Sequence, residues 1–140
     1  MVQSNLSRSR AGVLRGLHFH RDQADYWCFI EGHAFVALVD VRKGSPTEGG
    51  AWWQEFDAGS GLRGVYVPPG VAHGFYAQSD VALQYVVDRA FTGEDEFGVA
   101  YDDPRLAIPW PGKAPVVSER DRSNPSLAEV LAASPPTFRG

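Results

Sequence analysis

The stretch HAFVALVDV, residues 33–41, decides the fold. Phe35, Ala37, Val39 and Val41 fall on one side of an extended chain, with Val36, Leu38 and Asp40 on the other. A period of two is a strand's, and because both sides are apolar in the middle, this strand is expected to be covered on both faces of a sheet. Working outward, YWCFI (26–30), AWWQEFDA (51–58), RGVYVP (63–68), HGFYAQ (73–78) and VALQYVVD (81–88) share its bias toward Val, Phe, Tyr and Trp. They are separated by EG, RKGSPTEGG, AGSG, PPG and QSD, clusters whose glycines and prolines turn the chain. Short strands at that spacing predict an all-β sandwich or barrel. Only SLAEVLAA (126–133) reads as helical, with Ser126 as its cap after Pro125. The proline-rich DDPRLAIPWPGKAP (102–115) is expected to lie as a strap over the barrel, and the tail SPPTFRG (134–140) to fray.

Composition bounds the function. A chain of 140 residues, 44% hydrophobic, can bury one core and is too short for two ordinary domains, so residues 1–140 are expected to form a single domain. With 13 basic and 17 acidic residues the net charge of -4 provides no field for nucleic acid or an anionic membrane, so an anionic ligand must be held by local arginines. The single cysteine, Cys28, excludes an intrachain disulfide, and it sits in an apolar strand where packing is its expected role. No apolar run approaches the ~20 residues of a membrane span. The N-terminal MVQSNLSRSRAG has no hydrophobic signal segment, so the cytoplasm is the expected location.

Chemistry concentrates in GVLRGLHFHRDQADYWCFIEG (12–32) and VPPGVAHGF (67–75). Residues two apart on a strand share a face, so His18 and His20 point the same way, with Asp25 following and His73 opening a later strand. This spacing resembles the two paired motifs of the cupin barrels, with an aspartate where many of them carry glutamate. Three imidazoles and a carboxylate could hold Mn, Fe, Ni or Zn with open positions for substrate. The same residues could equally form a metal-free network facing a substrate, in which Asp25 neutralises His20 or His73.

A wider resemblance runs from Gln3 to about Leu127. QSNLSRSRAGVLRGLHFH, VDVRKGSPTEGG, VPPGVAHGF, DEFGVAYDDPRLAIPWP and VSERDRSNPSL are similar, in the same order, to segments of the dTDP-4-dehydrorhamnose 3,5-epimerase family. The resemblance implies a cupin-type jelly-roll barrel with a short C-terminal helical segment, a homodimer, no metal or other cofactor, and a dTDP-linked 4-keto-6-deoxy hexose as ligand. The reaction would invert C3, C5 or both, beside the C4 ketone. Removing a proton α to a ketone needs a base close to the carbon and donors for the developing enolate. A histidine suits that role, since an ordinary imidazole is largely neutral at pH 7. The family's base corresponds to His18 and its orienting acid to Asp121. Arg15 would grip the diphosphate, while Gln3, Asn5, His20 and His73 would line the sugar-nucleotide site. Because Arg15 and His18 are an odd number of residues apart, a kink near Gly16 must re-aim one of them.

Three residues depart from the family pattern: Asp25 stands for a lysine, His20 for a glutamine, and Phe91 for the tyrosine that donates a proton opposite the base. Tyr85, Tyr76 or a water would then have to serve as acid. The likeness starts at Gln3, so the N-terminal strands that family members exchange between subunits are expected to be missing. Two other classes stay open on these residues: a metal-dependent cupin isomerase or dioxygenase using His18, His20, Asp25 and His73, and a non-catalytic sugar-binding barrel. Trp52, Trp53 and Trp110 read as core or subunit-interface residues. Glu94, Asp95 and Glu96 read as a solvated turn; Glu96 alone matches a recurring family glutamate, a resemblance that would place it at the mouth of the site.

Overall fold

In the computed structural model, which describes residues 2–61 and 64–140, the chain forms two antiparallel sheets laid face to face as a cupin-like jelly-roll barrel. The first is ordered β1 (Gln3–Ser9), β8 (Val81–Val87), β3 (Asp25–Glu31), β6 (Gly64–Val67). The second is ordered β5 (Ala51–Asp57), β4 (His33–Asp40), β7 (Val71–Ala77), β2 (Leu14–Phe19), β9 (Phe97–Gly98). Each expected strand is present; Arg63, at the start of the RGVYVP segment, lies outside the described residues. Of HAFVALVDV, His33–Asp40 form β4, paired on both sides and buried through most of its length.

The barrel interior is divided lengthwise. At one end Phe29, Val36, Phe56, Phe75, Val81 and Leu83 form an apolar cluster. Fully burying side chains of that size contributes ~1.5–3 kcal/mol each. At the other end the inward positions turn polar, and the site lies there. A second apolar cluster sits on the far face of the five-stranded sheet, where Leu17, Phe19, Val39 and Ala72 are covered by Val99, Leu106, Leu127 and Val130. The proline-rich strap and the C-terminal helix thus complete a core, as their apolar residues require.

That helix, α2 (Leu127–Ala132), has Ser126 as its cap, and the Ser126 N–H reciprocally donates to the Glu129 carboxylate at 2.7 Å. A second helical turn, α1 (Glu119–Arg122), was not expected and is too short to leave a periodic trace. The tail is tied down rather than frayed: Lys43 N–H donates to the Pro136 carbonyl, Phe138 N–H donates to the Lys43 carbonyl, and Arg42 lies over the Phe138 ring. Trp52 and Trp53 are not core residues, being 44% and 40% exposed on edge strand β5, whereas Trp110 packs against Phe35 and the outer cluster. Among the described residues no helix is long and apolar enough to cross a membrane.

Candidate active site

A cavity of about 610 Å³ opens between the sheets at the polar end, lined among others by Arg15, His18, His20, Asp25, His73 and Asp121. Strand register explains the gathering. In the four-stranded sheet, Gln3, Val87 and Asp25 stand in one cross-strand row, and Asn5, Tyr85 and Trp27 in the next. In the facing sheet Arg15 pairs with Phe75 and His18 with His73. The register shifts between those two pairs, so Arg15 and His18 both line the cavity despite their odd spacing. Room for this irregularity comes from Gly16 and Gly74: a Cβ on Gly74 would lie 2.6 Å from the Arg15 carbonyl oxygen and 3.1 Å from the Gly16 Cα.

His18 Nε2 donates to Asp121 Oδ1 across 2.5 Å, and the other carboxylate oxygen accepts from Gly16 N–H at 3.1 Å. A carboxylate can only accept here, so the bond fixes the proton on Nε2 and leaves Nδ1 as the lone-pair nitrogen. Burial alone would raise the Asp121 pKa, but the bonds from His18 and Gly16 outweigh it and hold the carboxyl below its ordinary value. Asp121 belongs to α1, whose cap Ser118 accepts from Asp121's own N–H at 3.2 Å. The S-x-x-D spacing is therefore the cap that aims this carboxylate.

His20, Asp25 and His73 form a separate, buried group. His20 lies just past the end of β2, with its Nδ1–H donating to the Asp95 carbonyl. His73 Nδ1–H donates to the Val71 carbonyl at 3.0 Å, and its Nε2 faces Asp25 Oδ2 at 3.7 Å. Burial pushes the His73 pKa down to about 4 against the opposing pull of Asp25 and of Val71, so the ring is neutral at pH 7. Asp25 also accepts from Gln23 Nε2 at 2.7 Å. His18, grouped with these three in the four-ligand reading, stands apart from them with its Nε2 committed to Asp121.

Gln3 and Asn5 are bonded to each other at 2.8 Å and line an adjoining cavity with Tyr85 and Phe91. Phe91 is 67% exposed at that rim. Tyr85 lines both cavities; burial, and then the nearby Asp25 charge, raise its pKa above the ordinary phenol value, so it stays protonated. Tyr76 is turned elsewhere, its hydroxyl against Gly112. Two residues around the cavity stand differently from what the sequence led one to expect. Arg120 lines the main cavity beside Arg15 and pairs with Glu96 at 3.2 Å; its one available signal was its place inside the capped SERD turn. Asp95 is no free acid in a solvated turn, since its carboxylate accepts from the N–H groups of Arg21 at 2.6 Å and Asp22 at 3.0 Å.

Residues 1–129 match the family model described as dTDP-4-dehydrorhamnose 3,5-epimerase. An enzyme of that name from Mycobacterium tuberculosis (strain CDC 1551 / Oshkosh) is 40% identical over 138 residues, 94% of this chain and 68% of that relative. Among solved structures, the 4-keto-6-deoxy sugar epimerase of the novobiocin cluster of Streptomyces spheroides matches with a TM-score of 0.93 at 40% identity, over 98% of this chain and 71% of that one. The epimerase of Legionella pneumophila Philadelphia 1, solved with dTDP-4-keto-L-rhamnose, matches with a TM-score of 0.91 at 36% identity, over 99% and 76% of the two chains.

Proposed function

Because this chain belongs to the dTDP-4-dehydrorhamnose 3,5-epimerase family, and is a sugar-nucleotide epimerase by that kinship, we propose that it inverts a stereocentre beside the C4 ketone of a dTDP-linked 4-keto-6-deoxy hexose, with His18 as base. The observation that carries this reading is the His18–Asp121 pair at the wall of a cavity large enough for a sugar nucleotide. His18 Nδ1 takes the proton from the carbon next to the ketone, and the C–H electron pair moves into the carbonyl to form the enolate. The buried carboxylate of Asp121 stabilises the imidazolium that results and prevents the ring from turning. Arg15 and Arg120, both on the cavity wall, supply the cations that a diphosphate needs, Arg15 as a planar fork.

Inversion requires the proton to return on the other face. His18 projects from β2 of one sheet and Tyr85 from β8 of the facing sheet, so a ring between them has the base on one side and a protonated phenol on the other. That placement favours Tyr85 over Tyr76 as the acid standing in for the family tyrosine, which Phe91 cannot replace. The outer face of the four-stranded sheet exposes Leu6, Tyr26, Ile30 and Tyr66, and we infer that it is the homodimer contact the family likeness implies. Sedimentation of a Tyr26→Lys/Tyr66→Lys double variant as an unchanged dimer would rule that face out.

The decisive experiment is proton exchange in deuterated water with dTDP-4-keto-6-deoxy-glucose, followed by NMR. Deuterium is expected at C3, C5 or both with the natural chain and at neither with His18→Ala. Undiminished exchange in that variant removes His18 from the reaction.

A further inference from the structure

We propose that Nε2 of His20, Nε2 of His73 and the carboxylate of Asp25 bind one divalent first-row transition-metal ion on the inner wall of the cavity. The argument starts from the proton positions. A carbonyl oxygen only accepts, so the bonds to Asp95 and Val71 place a proton on Nδ1 of each ring, and in a neutral imidazole the lone pair then sits on Nε2. Asp25 adds a carboxylate whose Oδ2 lies 3.7 Å from His73 Nε2. One ligand atom from each of the three residues lies within 4.8 Å of the other two, and all three side chains are buried. Two imidazole lone pairs and a carboxylate held this close repel, offset in part by the long 3.4 Å bond from Trp27 Nε1–H to Asp25 Oδ2, and a cation between them reverses the sign of that interaction.

The distances suit such an ion. Ligand atoms at the corners of a triangle of side 4.8 Å are ~2.8 Å from its centre, so each needs to move by no more than ~0.7 Å to reach the ~2.1 Å of a metal–nitrogen bond. The outer partners are already in place. Backbone carbonyls hold both imidazoles by Nδ1, and Gln23 holds the carboxylate at 2.7 Å, the arrangement by which metal ligands are oriented. Two nitrogens and one carboxylate suit Mn, Fe, Co, Ni or Zn better than Ca or Mg, which take oxygen shells. Three protein ligands leave coordination positions open, and all three residues line the cavity, so those positions face the space a ligand would occupy.

This inference does not depend on the epimerase reading, because His18 and Asp121 lie outside the ligand set. The test uses the full chain made without a histidine tag, stripped with a chelator and titrated with Co(II), followed by visible absorption and by the rise in Tm that a native-state ligand produces. We expect one ion per chain, affinity lowered ~100-fold or more in His20→Gln and in Asp25→Asn, and wild-type affinity in His18→Ala. Absence of stoichiometric binding to the stripped natural chain overturns the proposal whatever the variants do. So does wild-type affinity in both ligand variants, or loss of binding in His18→Ala. If a ligand variant does not fold, Gln23→Ala replaces it, with an expected loss of ~10-fold and unchanged affinity counting against the site.

Discussion

His18 and Asp121 meet at 2.5 Å although 103 residues separate them in the chain. The strand supplies the imidazole, and a single capped helical turn supplies the acid. Replacing Asp121 by Asn keeps the shape and an acceptor oxygen but removes the charge that stabilises the imidazolium. We expect kcat for proton exchange to fall by ~10²–10⁴-fold with KM little changed, the range over which a positioned base acts. A loss confined to KM would show that Asp121 serves binding instead.

Tyr85→Phe separates the two halves of the reaction. If the phenol returns the proton, the variant still washes deuterium into the starting sugar from the His18 side, while formation of the inverted product falls by ~10²-fold or more. Product analysis by NMR, run beside the exchange measurement, checks this. Equal loss of both signals would assign Tyr85 to substrate binding.

Gly74→Ala tests whether the close passage of β2 over β7 positions the base. The new methyl would lie 2.6 Å from the Arg15 carbonyl oxygen and 3.0 Å from a Leu17 methyl, so β2 must move outward beside His18. Overpacking of this kind costs ~1–3 kcal/mol, and a displacement of ~1 Å at a reacting group costs ~10²-fold in rate. Expected results are a lowered Tm and a larger loss in kcat than in ligand affinity, read by thermal melts and by initial rates.

Much of this architecture was legible in advance, and the exceptions have physical reasons. The strands between Asp25 and Val87 announced themselves by their Val, Phe, Tyr and Trp content between glycine and proline turns, and all of them bury an apolar face except β5 and β6, of which only Phe56 and Val67 are buried. β1 did not, since its inward residues Gln3, Asn5 and Ser7 face the polar cavities and its outward ones face solvent, which leaves no apolar period to read. Ser126 was readable as a cap because an apolar helix follows it, whereas α1 offers four polar residues, one of them a buried acid. The tail looked disposable because its anchoring contacts, Phe138 over Arg42 and the pairing with Lys43, join residues far apart in sequence. The separation of His18 from His20, Asp25 and His73 depended on where the Asp121 loop returns, which spacing along one strand does not encode.

Asp40 provides a pH test away from the site. Its buried carboxylate accepts from Arg42 through Nε at 2.9 Å and Nη2 at 2.8 Å, and from the hydroxyls of Ser45 at 2.5 Å and Thr47 at 2.6 Å. Burial opposes ionisation, but these bonds win and hold the pKa far below the ordinary carboxylate range. The folded chain thus binds fewer protons here than the unfolded one. The stabilisation is full above about pH 4 and is lost as pH falls further. Asp40→Ala is expected to cost ~3 kcal/mol at pH 7, since it leaves the Arg42 charge and two hydroxyls without their acceptor. It should also flatten the acid limb of Tm against pH; an unchanged limb in thermal melts from pH 2 to 7 would contradict the assignment.

The segment that carries Asp121 lies between the residues that seal the outer apolar face, Val99 and Leu106 before it and Leu127 and Val130 after it. Without residues 113–140, the last fifth of the polypeptide, His18 would lack Asp121 and the outer face of the sheet would lose Leu127 and Val130. Loss of that segment would therefore uncover part of the outer core and unpair His18 at the same time.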